Sequence, residues 1–128
     1  MSDERIRITA EMSRTAFQRK AVSRLPANEV MDVAVAFFKE RGYRSGRTGR
    51  PNQVFVMGGR EGILPRTTAE ILVQANVGKG KVTMLTISGF GEGLSAHLAE
   101  FVASLRAGGG RRAEDPPAGD VTSTEPKG

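Results

Sequence analysis

Apolar residues recur along this chain at two spacings, and the switch between them outlines the elements. Val30, Val33, Ala34, Phe37 and Phe38 fall at i, i+3, i+4, i+7 and i+8, a continuous stripe that predicts a helix over residues 27–41. Pro26 precedes it where a missing N–H costs nothing, and Asn28 is a candidate cap. Glu29 and Asp32 suit the positive end of the helix dipole, Lys39 and Arg41 the negative end. Gly42 can take the left-handed conformation that closes a helix. A second stripe, Leu94, Leu98, Phe101, Val102 and Leu105, predicts a helix from about Gly93 to Arg106.

Between the helices the period falls to two. In residues 67–77, Ala69, Ile71, Val73, Ala75 and Val77 alternate with Thr68, Glu70, Leu72, Gln74 and Asn76, the pattern of a strand dry on one face. Gly78-Lys79-Gly80 joins it tightly to residues 81–88, rich in β-branched side chains, which predicts a hairpin. Residues 52–57 are apolar on both faces and read as a more central strand. Residues 43–48 form a weaker one, and residues 15–25 can supply another. The order β-α-β-β-β-β-α implies an α+β fold, an antiparallel sheet of four to five strands with two helices on one face. The layout is similar to a shortened helix-grip fold. That similarity is one of topology, which carries no function. An antiparallel sheet with helices on one face leaves its other face to be covered, by a partner or a second copy where it is apolar. The residues expected on that far face are Leu72, Phe55 or Val54, and Leu85 and Ile87 or their alternates.

The ends differ from this body. Residues 1–13 alternate charged and apolar positions and predict a flexible or strand-forming segment before a single domain over 14–107. In residues 108–128 Gly, Pro and charge dominate, and Val121 is the one large apolar side chain. Such a stretch cannot bury enough surface to offset its ordering entropy, so a disordered tail is expected. The N-terminal segment lacks the continuous apolar stretch of a signal peptide, and no run of about 18 apolar residues occurs anywhere. No membrane span is expected, and a cytoplasmic setting is.

Composition narrows the chemistry. With 128 residues, six Phe, one Tyr and no Trp, a one-domain core must be built from Val, Ile, Leu, Ala and Met. The absence of cysteine removes disulfides, thiol nucleophiles and thiolate metal sites. His97, the single histidine, lies beside the second helical stripe and reads as a packed or rim residue within reach of Glu100. Asp32 is the sole aspartate of the predicted domain, and the acidic residues show no calcium-loop spacing. The expectation is therefore no enzyme, no metal and no cofactor.

Charge points to anionic partners. Residues 1–60 carry 12 Lys/Arg against 6 Asp/Glu, residues 61–107 carry 4 against 4, and the rest 3 against 4, so the excess lies in the first half. Within it Arg41, Arg44, Arg47 and Arg50 recur every third residue, with three glycines and Tyr43 between them. Arginine's planar fork suits phosphate and tyrosine offers a stacking face, so with Arg60 this segment is a candidate nucleic-acid or polyanion surface. Period three does not place four residues on one side of a strand, however, and edge strands carry charge simply to prevent edge-to-edge pairing.

Two loops stand out besides. Gly89-Phe90-Gly91-Glu92-Gly93 sits before a helix, where backbone N–H groups can cradle phosphate. The dinucleotide spacing fails at Leu94, no Lys-Ser/Thr follows, and Glu92 repels an anion, so the stretch reads as a strand-to-helix joint. Residues 58–66 hold Ile63 and Leu64 amid polar and glycine residues, a pair that either closes the core or meets a partner. Three functions remain. The leading expectation is a non-catalytic protein-interaction or assembly module, including self-association. Nucleic-acid binding through residues 41–50 comes second. A small apolar-ligand carrier, with a pocket between the first predicted helix and the sheet, comes third because so short a chain needs its core for stability.

Overall fold

The computed structural model of the protein describes residues 2–107. Among these, the elements run α1 (Ser2–Arg14), β1 (Phe17–Ser23), α2 (Ala27–Glu40), β2 (Arg44–Arg47), β3 (Gln53–Gly58), β4 (Thr67–Val77), β5 (Val82–Gly89) and α3 (Glu92–Arg106). The five strands form one antiparallel sheet in the order β1-β5-β4-β3-β2, with α2 crossing from one edge strand to the other. This is the expected α+β architecture with an additional helix at its start. The tail expected over 108–128 lies outside the described residues.

The core is one layer between the sheet and two helices. Every second residue of the inner strands is buried: Val54 and Val56 on β3, Ala69, Ile71 and Val73 on β4, Leu85 and Ile87 on β5. From the helices come Val30, Met31, Ala34 and Phe38 of α2 and Leu94, Leu98, Phe101, Val102 and Leu105 of α3. Phe37, Phe38 and Phe101 meet as a ring cluster with centroids 4.9–5.5 Å apart, the tilted contacts that aromatic quadrupoles favour. The cluster joins α2 to α3. At the end of α2, Gly42 takes φ +92, as its position predicts. Asn28 caps no amide. It accepts hydrogen bonds from Arg47 instead, through Oδ1 and its carbonyl.

Two expectations are corrected. Residues 1–13 were expected to be flexible or strand-forming, yet residues 2–14 are helical. The Arg5-Ile6-Arg7-Ile8 alternation mimics a strand, but Asp3 and Glu4 sit in the first turn and Arg14 in the last. Arg14 also pairs with Glu11 one turn back, at 2.6 Å, and such local terms favour helix. On the far face, Val54, Leu85 and Ile87 are not outward. They are fully buried beneath the helices, and their neighbours Phe55, Met84 and Thr86 face out. The second apolar face of β3 is thus not a mark of a central strand, since β3 is next to the edge and β4 is central.

Candidate functional site

The arginine segment does not converge on one surface. Arg41 is spent on the fold: its fork grips Glu100 at 3.1 and 3.2 Å, its Nη1 donates to the Phe37 carbonyl, and its guanidinium lies 3.5 Å from the Phe37 ring centroid. That clamp fastens the end of α2 to α3 and holds the Glu100 carboxyl below its usual pKa, chiefly through the hydrogen bond from Arg41. Arg47, on the helix side of β2, donates to Asp32 at 2.8 Å. Tyr43 is no stacking platform. Its hydroxyl is 2.8 Å from His97 Nδ1, its ring meets Phe38 edge-on, and burial pushes its pKa up, with the Glu61 charge adding to it. Arg44, Arg50 and Arg60 are exposed, and no ion pair forms at them among the described residues. Arg44 stands on the other side of β2 from Arg47, as alternation requires.

The loop of residues 58–66 divides its two apolar residues. Leu64 is 1% exposed and belongs to the core, so the expected partner contact there is corrected, while Ile63 remains 40% exposed. Glu61 and Leu64 exchange backbone hydrogen bonds at 3.0 and 2.8 Å, which turns the loop back on itself. The Glu61 carboxylate then accepts from Gly93 N and Leu94 N at 2.9 and 3.2 Å, capping α3. Gly91 N donates to Thr15 Oγ1. Three of the amides that could have cradled a phosphate, those of Gly91, Gly93 and Leu94, are therefore satisfied by the chain's own side chains. Gly91 itself takes φ +107 and packs against Thr67, where a Cβ has no room.

The remaining surface is the outer face of the sheet. Cross-strand register aligns Val22 with Met84, Gln53 with Leu72, and Phe55 with Glu70 and Gly46. Val22, Met84, Leu72 and Phe55 consequently step diagonally from the β1 edge to β2, an apolar stripe over four strands with Gly46 at its end. Val22 is 50% and Leu72 42% exposed. Phe55 leans over Gly46, whose missing side chain makes room: a Cβ there would lie 3.1 Å from the ring. Beside the stripe an open hollow of about 540 Å³ is lined by Phe55, Met57, Glu70, Ser88, Phe90 and Gln18, among others. Glu70 Oε1 accepts from Gln53 Nε2 at 3.2 Å and is the one carboxylate among the outward residues of the strands.

No family model matches the chain, and no curated protein sequence does. Among solved structures it is similar to DynU16, described as a protein in the dynemicin biosynthetic locus. The identity is 14% and the TM-score 0.38, over 73% of this chain and 48% of that one. At that score the likeness carries no argument about this protein.

The outward stripe is only half legible in the sequence. Leu72 and Phe55 are read from alternation and Met84 only as an alternate to Leu85, while Val22 is missed, as are Met57 and Phe90 beside the stripe. Pairing the strands in register would have found Met84, since a hairpin sets β5 against β4. Among the described residues no three His, Cys, Asp or Glu side chains gather to hold a metal ion, and no helix is long and apolar enough to cross a membrane.

Proposed function

We propose that this protein is a non-catalytic interaction and assembly module that works through the outer face of its sheet. One observation carries the reading: the diagonal Val22–Met84–Leu72–Phe55 stripe has no layer over it among the described residues. Exposed apolar residues scattered singly need no explanation, but a stripe aligned across paired strands and rimmed by Lys20, Glu70, Gln53 and Gln74 is the composition of a contact surface. The arginine segment supports an anion-binding reading less well, because Arg41 and Arg47 already hold carboxylates. A cytoplasmic setting belongs to the same reading, since a cysteine-free chain suits a reducing compartment.

A photo-reactive amino acid in place of Leu72, in the cells that make the protein, tests it. A discrete cross-linked species is expected, absent when the same group replaces Ala36 on the outer side of α2, and lost when Val22→Asp is added. Equal labelling from positions 36 and 72 would remove the reading.

A further inference from the structure

The geometry points to a second copy of this chain as the partner, its α1 helix laid along the apolar stripe and the contact returned by symmetry. This inference rests on the outer-face reading and adds the occupant.

Two incomplete surfaces belong to one chain. The first is the stripe. The second is α1, which shares no packed seam with any other helix or strand and leaves Ile6 63% exposed. At 100° per residue, Asp3, Glu4, Arg7, Glu11 and Arg14 gather on one side of α1. The other side runs from Ile8 and Met12, both half-buried, through Arg5, Thr9 and Ser13 to the exposed Ile6 and Ala10, with Arg5 as its single charge. The Ile6 edge of that side has no packing partner among the described residues.

That partner is not the helix's own sheet face. The last turn of α1 is tied to the first turn of α3, which lies on the covered side. Arg14 reaches Glu92 at 3.1 Å, Gly91 N donates to Thr15 Oγ1 at 2.9 Å, and Ser95 Oγ donates to the Thr15 carbonyl at 2.5 Å. Only Thr15 and Ala16 separate α1 from β1, a reach of about 7 Å. Swinging α1 round to the outer face would break the Arg14–Glu92 pair and would have to turn at Thr15, which α3 holds. Held outward, it can serve another molecule.

Size and charge fit. Thirteen helical residues extend about 20 Å at 1.5 Å each. Three strand spacings and a two-step diagonal make the stripe about 20 Å long as well. Arg5, alone among the apolar positions of α1, has Glu70 as the one carboxylate beside the stripe. A reciprocal contact of this kind is isologous and closes as a two-fold dimer.

Light scattering on the eluting full chain, with Arg5→Glu, Glu70→Arg and the double exchange, tests the inference. The expected result is a dimer of the 13.7 kDa chain. Each single charge reversal should weaken it roughly tenfold or more, and the double exchange should restore it. Because the chain has no cysteine, Thr9→Cys with Leu72→Cys gives an independent reading: an intermolecular disulfide on mild oxidation, absent from either single variant. A dimer broken by Leu72→Asp but indifferent to Arg5→Glu would overturn the α1 contact and leave the outer-face reading standing. A chain monomeric at all concentrations, with position 72 still cross-linking to one species, would also overturn it in favour of a different partner. Loss of both signals would end both readings.

Discussion

Ile71 and Leu72 are neighbours on the same strand, similar in size and apolarity, and live in opposite worlds. Ile71 is sealed beneath the helices, whereas Leu72 is 42% exposed on the bare side. The same contrast runs through β3 and β5, where Val54 and Val56 face Phe55 and Met57, and Leu85 and Ile87 face Met84. Strand alternation distributes side chains to two faces without regard to what covers them. Cover is decided elsewhere, by α2 and α3 docking on one side only. An apolar residue on a strand is therefore evidence of a core only once its layer is found, and among the described residues none lies over the outer face.

A pair of truncations separates the two faces most strongly. Ile71→Ala should cost about 2–5 kcal/mol through lost burial and a cavity, and Leu72→Ala roughly 0.5 kcal/mol in the isolated chain, both read from urea midpoints at equal slope. Similar costs would mean that the outer face is as buried as the inner. Next comes Glu61→Ala, which strips the cap from α3 at the edge of the covered layer. A loss of about 1 kcal/mol is expected, against none from Arg60→Ala beside it. The smallest effect refines where the covered side meets water. Tyr43 is the only tyrosine, so absorbance near 295 nm titrates it alone. Its folded pKa is raised, first by burial and then by the Glu61 charge. Its contribution to stability is thus complete below the ordinary value of about 10 and fades as pH climbs through the higher folded value. Glu61→Gln should lower the folded value part-way, and an unperturbed titration would mean that the ring is wet.

Much of the fold was legible because its signals are local. The stripe from Val30 to Phe38, Gly42 after it, and the alternation of β4 each act within a few residues, and all are found in place. The bare face was legible only in part, because choosing between Val54 and Phe55, or Leu85 and Met84, depends on which side receives the helices. Helix α1 was hidden by the Arg-Ile-Arg-Ile alternation, which satisfies a strand rule and a helix rule at once. The arginine run misled differently. Its residue types suit phosphate, but Glu100 and Asp32, which occupy Arg41 and Arg47, come from 59 and 15 residues away. His97 likewise meets Tyr43 across 54 residues, and no local pattern announces that pairing.

The stretch of residues 59–66 has neither a helix nor a named strand, yet it is not slack. Glu61 holds the first amides of α3, and Leu64, three residues on, is buried, so the loop is fastened at two points. That makes the segment a latch. Arg60 and Arg66 flank it as exposed basic residues, but a trypsin-like protease needs an extended stretch of backbone, which the latch withholds until it lifts. The rate of cutting there therefore reports how often the loop itself lets go.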